Sequence, residues 1–291
     1  MWAVRDDGVL LSMTYIKEQQ VSGWSQHETN GLVKAVTSIP EGGSTAVYLC
    51  VQRTVNGVSS YFWERLRPRN WANDREAFCV DAGLTYRGDV HVVSGVVRGA
   101  TTVVSSTAHG MSNGDVVFLR DIVGTIELND KRFKVASALG NSFRITDLDD
   151  RDISSTLYTD YVSGGEIQVC TLTISNLHHL ANEPVAILAD GNVVPDETVS
   201  STGVVTLATY AHLVHIGFGY NCDFETLPVD FLGQDVIQSR KASIPRVAMR
   251  VRGTRGLSGG KDVNNLNEIK ERSVSIGYSD IPTQDGVKYL G

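Results

Sequence analysis

The chain has 291 residues and a formal net charge of −7, from 26 Lys plus Arg against 33 Asp plus Glu. Its hydrophobic fraction of 42% can fill real cores, which excludes wholesale disorder. The acidic balance argues against a surface that grips nucleic acid by neutralising phosphates, although a like-charged wall past which DNA slides is compatible with it.

Glycine is plentiful at 28 and proline scarce at 7, over runs rich in valine and threonine, which points to tight turns between strands. No apolar run approaches the ~18 residues of a membrane span. The start, Met1 to Asp7, carries acids and no apolar stretch, so no secretory leader is expected there. Cys50, Cys79, Cys170 and Cys222 are far apart with no C-x-x-C spacing. They read as reduced, buried or half-buried thiols of a protein made in a cytoplasm.

Val9 to Ile16 reads as a strand by its alternation, with Gln20 to Glu28 as its partner. Ala46–Val55 and Val58–Leu66 flank Asn56-Gly57, which predicts a hairpin with a type I′ turn, since both turn residues need positive φ. Residues 67 to 77 are polar and irregular, a loop or one short helix. Strand chemistry resumes over Phe78 to Tyr86 and Val90 to Val97. Residues 101 to 168 hold short strands punctuated by Gly110, Asn113-Gly114, Gly124, Asn129, Gly140-Asn141 and Gly164-Gly165, the spacing of a small barrel or sandwich. Residues 169 to 230 continue likewise, with turns at Asp190-Gly191-Asn192 and Ser201-Thr202-Gly203. Gln234 to Lys241 and Asn264 to Arg272 are the only candidate helices, both weak in period. The expected class is all-β, built of several small sheet and barrel modules.

Chemistry-bearing patterns fail on spacing. In His212-x-x-His215 the two rings would face opposite sides of a strand, His178-His179 has the same problem, and no further ligand sits at zinc-like spacing. The acidic run Asp147 to Asp152 has Asp152 and Tyr158 where a calcium loop wants glycine and glutamate, so it reads as a solvated turn. Gly253 to Lys261 is glycine-rich but lacks phosphate-loop spacing and a strand–helix frame, and reads as a flexible loop between strands. No nucleophile elbow or S-x-x-K occurs, and no carboxylate pair stands out for glycoside hydrolysis. No catalytic, cofactor-binding or metal-ligating residue is therefore assigned, and no cofactor is expected. Arg240, Lys241, Arg246, Arg250, Arg252 and Arg255 form the one basic concentration. Arg246, Arg250 and Arg252 share strand parity, as a solvated face, a subunit interface or a lumen lining would.

Three groups of segments carry a resemblance. Trp2 to Leu10, Thr14-Tyr15 and Gln19 to His27 come first, then Val51 to Gly57 and Trp63 to Leu66, then His179 to Gly191, Val214 to Tyr220 and Glu225 to Pro228. In this order they resemble the tail tubular, or nozzle, proteins of short-tailed bacteriophages. Between them, Val103 to Val117 with Gly124 and Glu127-Leu128-Asn129 is similar to the first catalytic cysteine half-domain (FCCH) of ubiquitin-activating enzymes. No cysteine lies between Cys79 and Cys170, so only the scaffold is implied and not ubiquitin transfer. Nozzle proteins run longer on both sides, with a large part before the Trp2 motif, so the resemblance is to the C-terminal portion of one and implies a fragment, a prophage remnant or a minimal version.

The resemblance implies a non-enzymatic structural component of a phage tail, made in the bacterial host cytoplasm and located in the virion. Its partners would be other copies of itself in a hexameric ring, an adaptor and fibres, with DNA only as passing cargo and no membrane span. The expected modules are 1–96 and 168–230 (nozzle-like), 97–167 (an inserted FCCH-like barrel) and 231–291 (a C-terminal β segment). The alternative is a tail-associated module that binds a glycan or receptor without catalysis, with Trp24, Trp63, Trp71 and Tyr61 as stacking candidates, although core packing or cross-strand pairing is the expected use of those rings. A polysaccharide-degrading enzyme is the weakest reading.

Overall fold

The computed structural model describes residues 1–68, 71–225, 247–269 and 284–290. The chain divides into two compact units, Met1–Tyr220 and Asn221–Gly291. Both are built from β-strands, and no α-helix occurs among the described residues; the helical content is four single turns of 3₁₀ helix. The class is all-β, as the alternating sequence predicts.

In the first unit, β1 (Trp2–Val4), β2 (Leu10–Ile16) and β3 (Val21–His27) form a three-stranded sheet in that order. A second sheet follows from β4 (Leu32–Glu41), β5 (Ser44–Val55) and β6 (Val58–Arg65). Here Asn56 (φ 51) and Gly57 (φ 76) close the predicted turn, with Val55 opposite Val58. The alternation in β5 is literal: Val47, Leu49 and Val51 are buried and pack with Leu10 and Val33, Trp2 and Val4 covering the edge. The polar stretch before Phe78 holds one 3₁₀ turn, Asp74–Glu76.

The chain continues as β7 (Asp81–Arg87), β8 (Val90–Val92), β9 (Gly95–Val97), β10 (Thr102–Ser105), β11 (Val116–Val123), β12 (Lys131–Leu139), β13 (Ser142–Thr146) and β14 (Ser163–Ile174). Strands β14, β11, β12, β13, β10 and β9 are neighbours in that order, and β8 pairs back onto β14. Val93 N–H donates to Gly165 O and Ser94 N–H to Ser105 O, both at the bend between β8 and β9. That bend carries the chain from one end of the sheet to the other and closes a small barrel, leaving few free edges. Its interior is filled by Val104, Val117, Leu119, Ile122, Leu128, Phe133, Phe143, Ile145 and Ile167. Each such side chain contributes about 1.5–3 kcal/mol on burial. Gly124 (φ 104) is indispensable to this closure, because a Cβ there would run into the backbone of Asp160 and Val162.

After β14 come β15 (Pro184–Ala189), β16 (Asn192–Thr198), β17 (Val205–Ala211) and β18 (Leu213–Phe218). They complete a sheet of order β16-β15-β18-β7, while β17 pairs with the far half of β14. Strand β18 is buried at every position, and its core joins Leu177, Leu180, Val185, Ile187 and Val205. Because β14 runs from barrel to neighbour without interruption, the two share a backbone element.

The second unit contains β19 (Val247–Thr254), β20 (Ser258–Gly260), β21 (Leu266–Glu268) and β22 (Gln284–Leu290), paired as β19–β22 and β20–β21. Two expectations are corrected here. Part of Gly253 to Lys261 is strand β20, not loop, and Leu266–Glu268 within the candidate helix Asn264 to Arg272 is its partner β21. Gly260 accepts this pairing because a Cβ there would run into the backbone of Asn265. The candidate helix Gln234 to Lys241, Arg240, Lys241 and Arg246 lie outside the described residues.

Candidate functional site: buried polar junctions between the sheets

The most concentrated chemistry lies where the barrel meets the β15–β18 sheet. Asp190 opens the tight turn between β15 and β16 (φ 51, followed by Gly191 at φ 86), so its carboxylate is fixed by backbone geometry. Its side chain is 6% exposed and accepts three hydrogen bonds. Arg132 Nη2 of β12 donates to Oδ2 at 2.6 Å, and the N–H groups of His212 and Leu213 donate to Oδ1 at 3.1 and 2.9 Å. His212 Nδ1 stands 3.0 Å from the same oxygen. Burial pushes the Asp190 carboxyl up, but His212, Arg132 and the Leu213 N–H outweigh it and hold it below the ordinary carboxylate value.

His212 is clamped on all sides. Its ring stacks on Phe118 of β11 at 4.7 Å and 13°. With the Gln168 amide turned so that both its ends are satisfied, Nε2 donates to His212 Nε2 at 2.9 Å and the oxygen accepts from Arg120 Nε and Nη2 at 3.3 Å. The ring is thus held between Asp190 on its Nδ1 side and Gln168 on its Nε2 side. Arg120 in turn donates through Nε to Glu166 at 2.9 Å. Arg75 and Arg132 sit over Phe118, at 5.9 and 6.0 Å from the ring centre.

Cys170 lies beside this cluster, buried with Val116 and Phe118, and burial pushes its thiol up to about 12. Cysteine, histidine and aspartate types therefore meet here without the wiring of a nucleophile. Gln168 occupies the imidazole nitrogen that would take a proton, and the thiol stays protonated. What the arrangement does is hold β11, β12, β14, the β15–β16 turn and the start of β18 in one geometry.

A second junction centres on Arg53 of β5, 3% exposed at a parity otherwise apolar. Its guanidinium donates to both oxygens of Glu64 on β6, at 2.7 and 2.8 Å, and to Asn30 O. Its face lies over the Phe218 ring of β18 at 5.5 Å. Asp81, opposite Phe218 on β7, is raised above its ordinary value by burial. Arg53 thereby ties the β4–β6 sheet to the β7–β18 pair, the forked cation serving as connector.

The residues singled out from sequence fall in separate places. His212 packs on Phe118, whereas His215 sits edge-on to Phe78 at 5.5 Å, its ring nitrogens engaged by Thr85 Oγ1 and Arg75 O. His179 Nε2 bonds Ala82 O at 2.8 Å. Among the described residues no group of three or more His, Cys, Asp or Glu is placed to hold a metal ion, and no helix is long and apolar enough to cross a membrane. The acidic run is a turn: Asp147 Oδ1 accepts the N–H groups of Asp149 and Arg151, and Asp150 and Asp152 pair with Lys134 and Arg144. Arg250 and Arg252 are exposed on one face of β19. The aromatics depart from core packing: Trp24, Tyr61 and Trp63 are 56%, 64% and 74% exposed. The thiols depart too, since Cys79 and Cys222 are exposed.

Residues 97–170 match the family described as Ubiquitin-activating enzyme E1 FCCH domain. The matched stretch covers β10 to β13 and enters β14, the bulk of the closed barrel, in agreement with the similarity read from Val103 to Asn129. No curated protein matches the chain.

Proposed function

We propose that this chain is a structural component of a bacteriophage tail, part of a nozzle-like conduit for DNA ejection, with no catalytic role. The observation that carries the reading is the placement of the nozzle-like segments. Val51 to Gly57 and Trp63 to Leu66 form the β5–β6 hairpin, while His179 to Gly191 and Val214 to Tyr220 supply the paired strands β15 and β18. All lie outside the FCCH-like barrel, which sits between them in the chain as an insertion would. The polar junctions support the same reading, because Arg53, Arg132, Asp190 and His212 are engaged in fixing sheets to one another. In this account rigid sheets set subunit contacts, DNA is cargo, and further copies of the chain, an adaptor and fibres are the partners in the virion.

Peptide mapping of purified particles by mass spectrometry tests it. Peptides of this chain in stoichiometric tail amounts are expected; their absence from infectious particles overturns the reading. A second reading, a glycan- or receptor-binding tail module, is favoured by the exposed Tyr61 and Trp63, which share one face of β6. Binding of the isolated chain to a glycan array, lost in Trp63→Ala, would select it.

A further inference from the structure

Two strand edges in the first unit lack the devices by which proteins keep their edges from pairing. Strand β3 pairs with β2 and β6 with β5, and no other strand among the described residues lies against either. Antiparallel pairing alternates, so every second residue of an edge strand turns its N–H and C=O outward. Met1 and Met13 exchange backbone bonds, which turns Leu11 and Met13 toward β1 and leaves Ser22, Trp24 and Gln26 of β3 facing outward. The bond from Leu66 N–H to Val47 O fixes the other parity, leaving Ser59, Tyr61, Trp63 and Arg65 facing outward on β6.

Other edges of the same unit are guarded. Strand β4 carries Lys34, Pro40 and a bulge between Val33 and Ala35. Strand β16 carries Pro195, Asp196 and Glu197 and pairs across a bulge. Lysine, proline, acids and bulges are what blunt an edge. Strand β3 has no proline and no Asp, Glu, Lys or Arg, and β6 has none from Val58 to Trp63. Both present large rings at outward-bonding positions, Trp24, Tyr61 and Trp63. The arm that bears β3 is also short of cover: every residue from Thr14 to Gln26 is exposed. A two-stranded ribbon wet on both faces is marginal in water until a further strand joins it.

We infer that β3 of one copy of this chain pairs with β6 of another, joining the β1–β3 sheet of the first to the β4–β6 sheet of the second. The occupant is a second copy because the lengths match, 7 residues against 8, and each chain carries both halves. A foreign partner on one edge would leave the other open. The contact is heterologous, so every copy offers a β3 and a β6 and the pairing repeats from copy to copy, into a ring where the rotation closes and a filament where it does not. This names the surface through which the copies invoked in the proposed function meet, yet it has its own test. A chain absent from virions removes the tail reading and leaves the edges untouched, whereas a monomer refutes the edges whatever the virion contains.

The experiment uses the full chain in a concentration series by light scattering, with hydrogen exchange on the same samples. Self-association is expected, with exchange at Ser22, Trp24, Gln26, Ser59, Tyr61 and Trp63 slowing on the order of tenfold or more as copies join. Ser22→Pro and Ser59→Pro each remove an outward N–H that no bond among the described residues uses, so each should leave the circular dichroism spectrum unchanged and abolish association. A wild-type chain that stays monomeric overturns the inference. So does association that survives both prolines, or protection confined to one of the two edges. If either proline variant is unfolded, the wild-type exchange pattern alone decides between these results.

Discussion

Replacing Asp190 with asparagine isolates the charge at the barrel junction. Asparagine tolerates the left-handed backbone that Asp190 adopts at φ 51, so the β15–β16 turn survives. The amide keeps one acceptor but turns an NH₂ either toward Arg132 or toward the His212 and Leu213 N–H groups, which already point donors there. Arg132, its side chain 35% exposed, loses its carboxylate, and the carboxylate site itself is only 6% exposed. Removing one partner of a buried pair costs about 3–5 kcal/mol, and the partial exposure of Arg132 places the expected loss at about 3 kcal/mol. For a unit of this size, that corresponds to about 6–12 °C in Tm. Urea denaturation of wild type, Asp190→Asn, Arg132→Met and the double variant would measure it, with a coupling between the two sites of about 1–2 kcal/mol expected. A single-variant loss below about 0.5 kcal/mol, the range of an ordinary surface substitution, would refute the reasoning.

Four further outcomes follow from the same structure. Burial holds His215 below its ordinary value of 6.5, so in the folded state protonation is disfavoured; stability is full above that value and falls as pH drops beneath it, and His215→Gln should remove this component of a pH-dependent melt. Asp190 has a depressed folded pKa, so its contribution is present above its ordinary 3.8 and is lost as pH falls through the folded value, an acid limb that Asp190→Asn should flatten. Gly57→Ala meets no atom and should cost only the ~1–2 kcal/mol of a left-handed alanine, whereas Gly124→Ala adds a backbone collision and should exceed about 3 kcal/mol in the same denaturation assay. Iodoacetamide with mass mapping should modify the exposed Cys79 and Cys222 in the native protein and reach Cys170 only in denaturant, since its thiol is buried and raised to about 12.

What could be read from the sequence was local. Asn56-Gly57 named its own turn, because both residues must take positive φ, and alternation in Ala46–Val55 placed Val47, Leu49 and Val51 on the buried side. The same parity puts Arg53 inside, a signal present in the sequence that singles out the residue but not Glu64 or Phe218 as its neighbours. The barrel module was legible through its turn spacing and through Val103 to Val117, and the family match falls on it. The junction at Asp190 was legible as a turn and no further: its partner Arg132 is 58 residues away, and only the closure of the barrel brings them together. Gly260 misled for the opposite reason, since glycine reads as loop while here it allows the close pairing of β20 with β21. The exposure of Trp24, Tyr61 and Trp63 was illegible, because a large ring on an alternating strand looks the same whether its face is covered or bare.

The central claim is most directly tested by electron microscopy of intact particles labelled with gold-conjugated antibody against this chain. The account predicts label concentrated on the tail and absent from the capsid. Particles left bare, or label confined to the head, would contradict it.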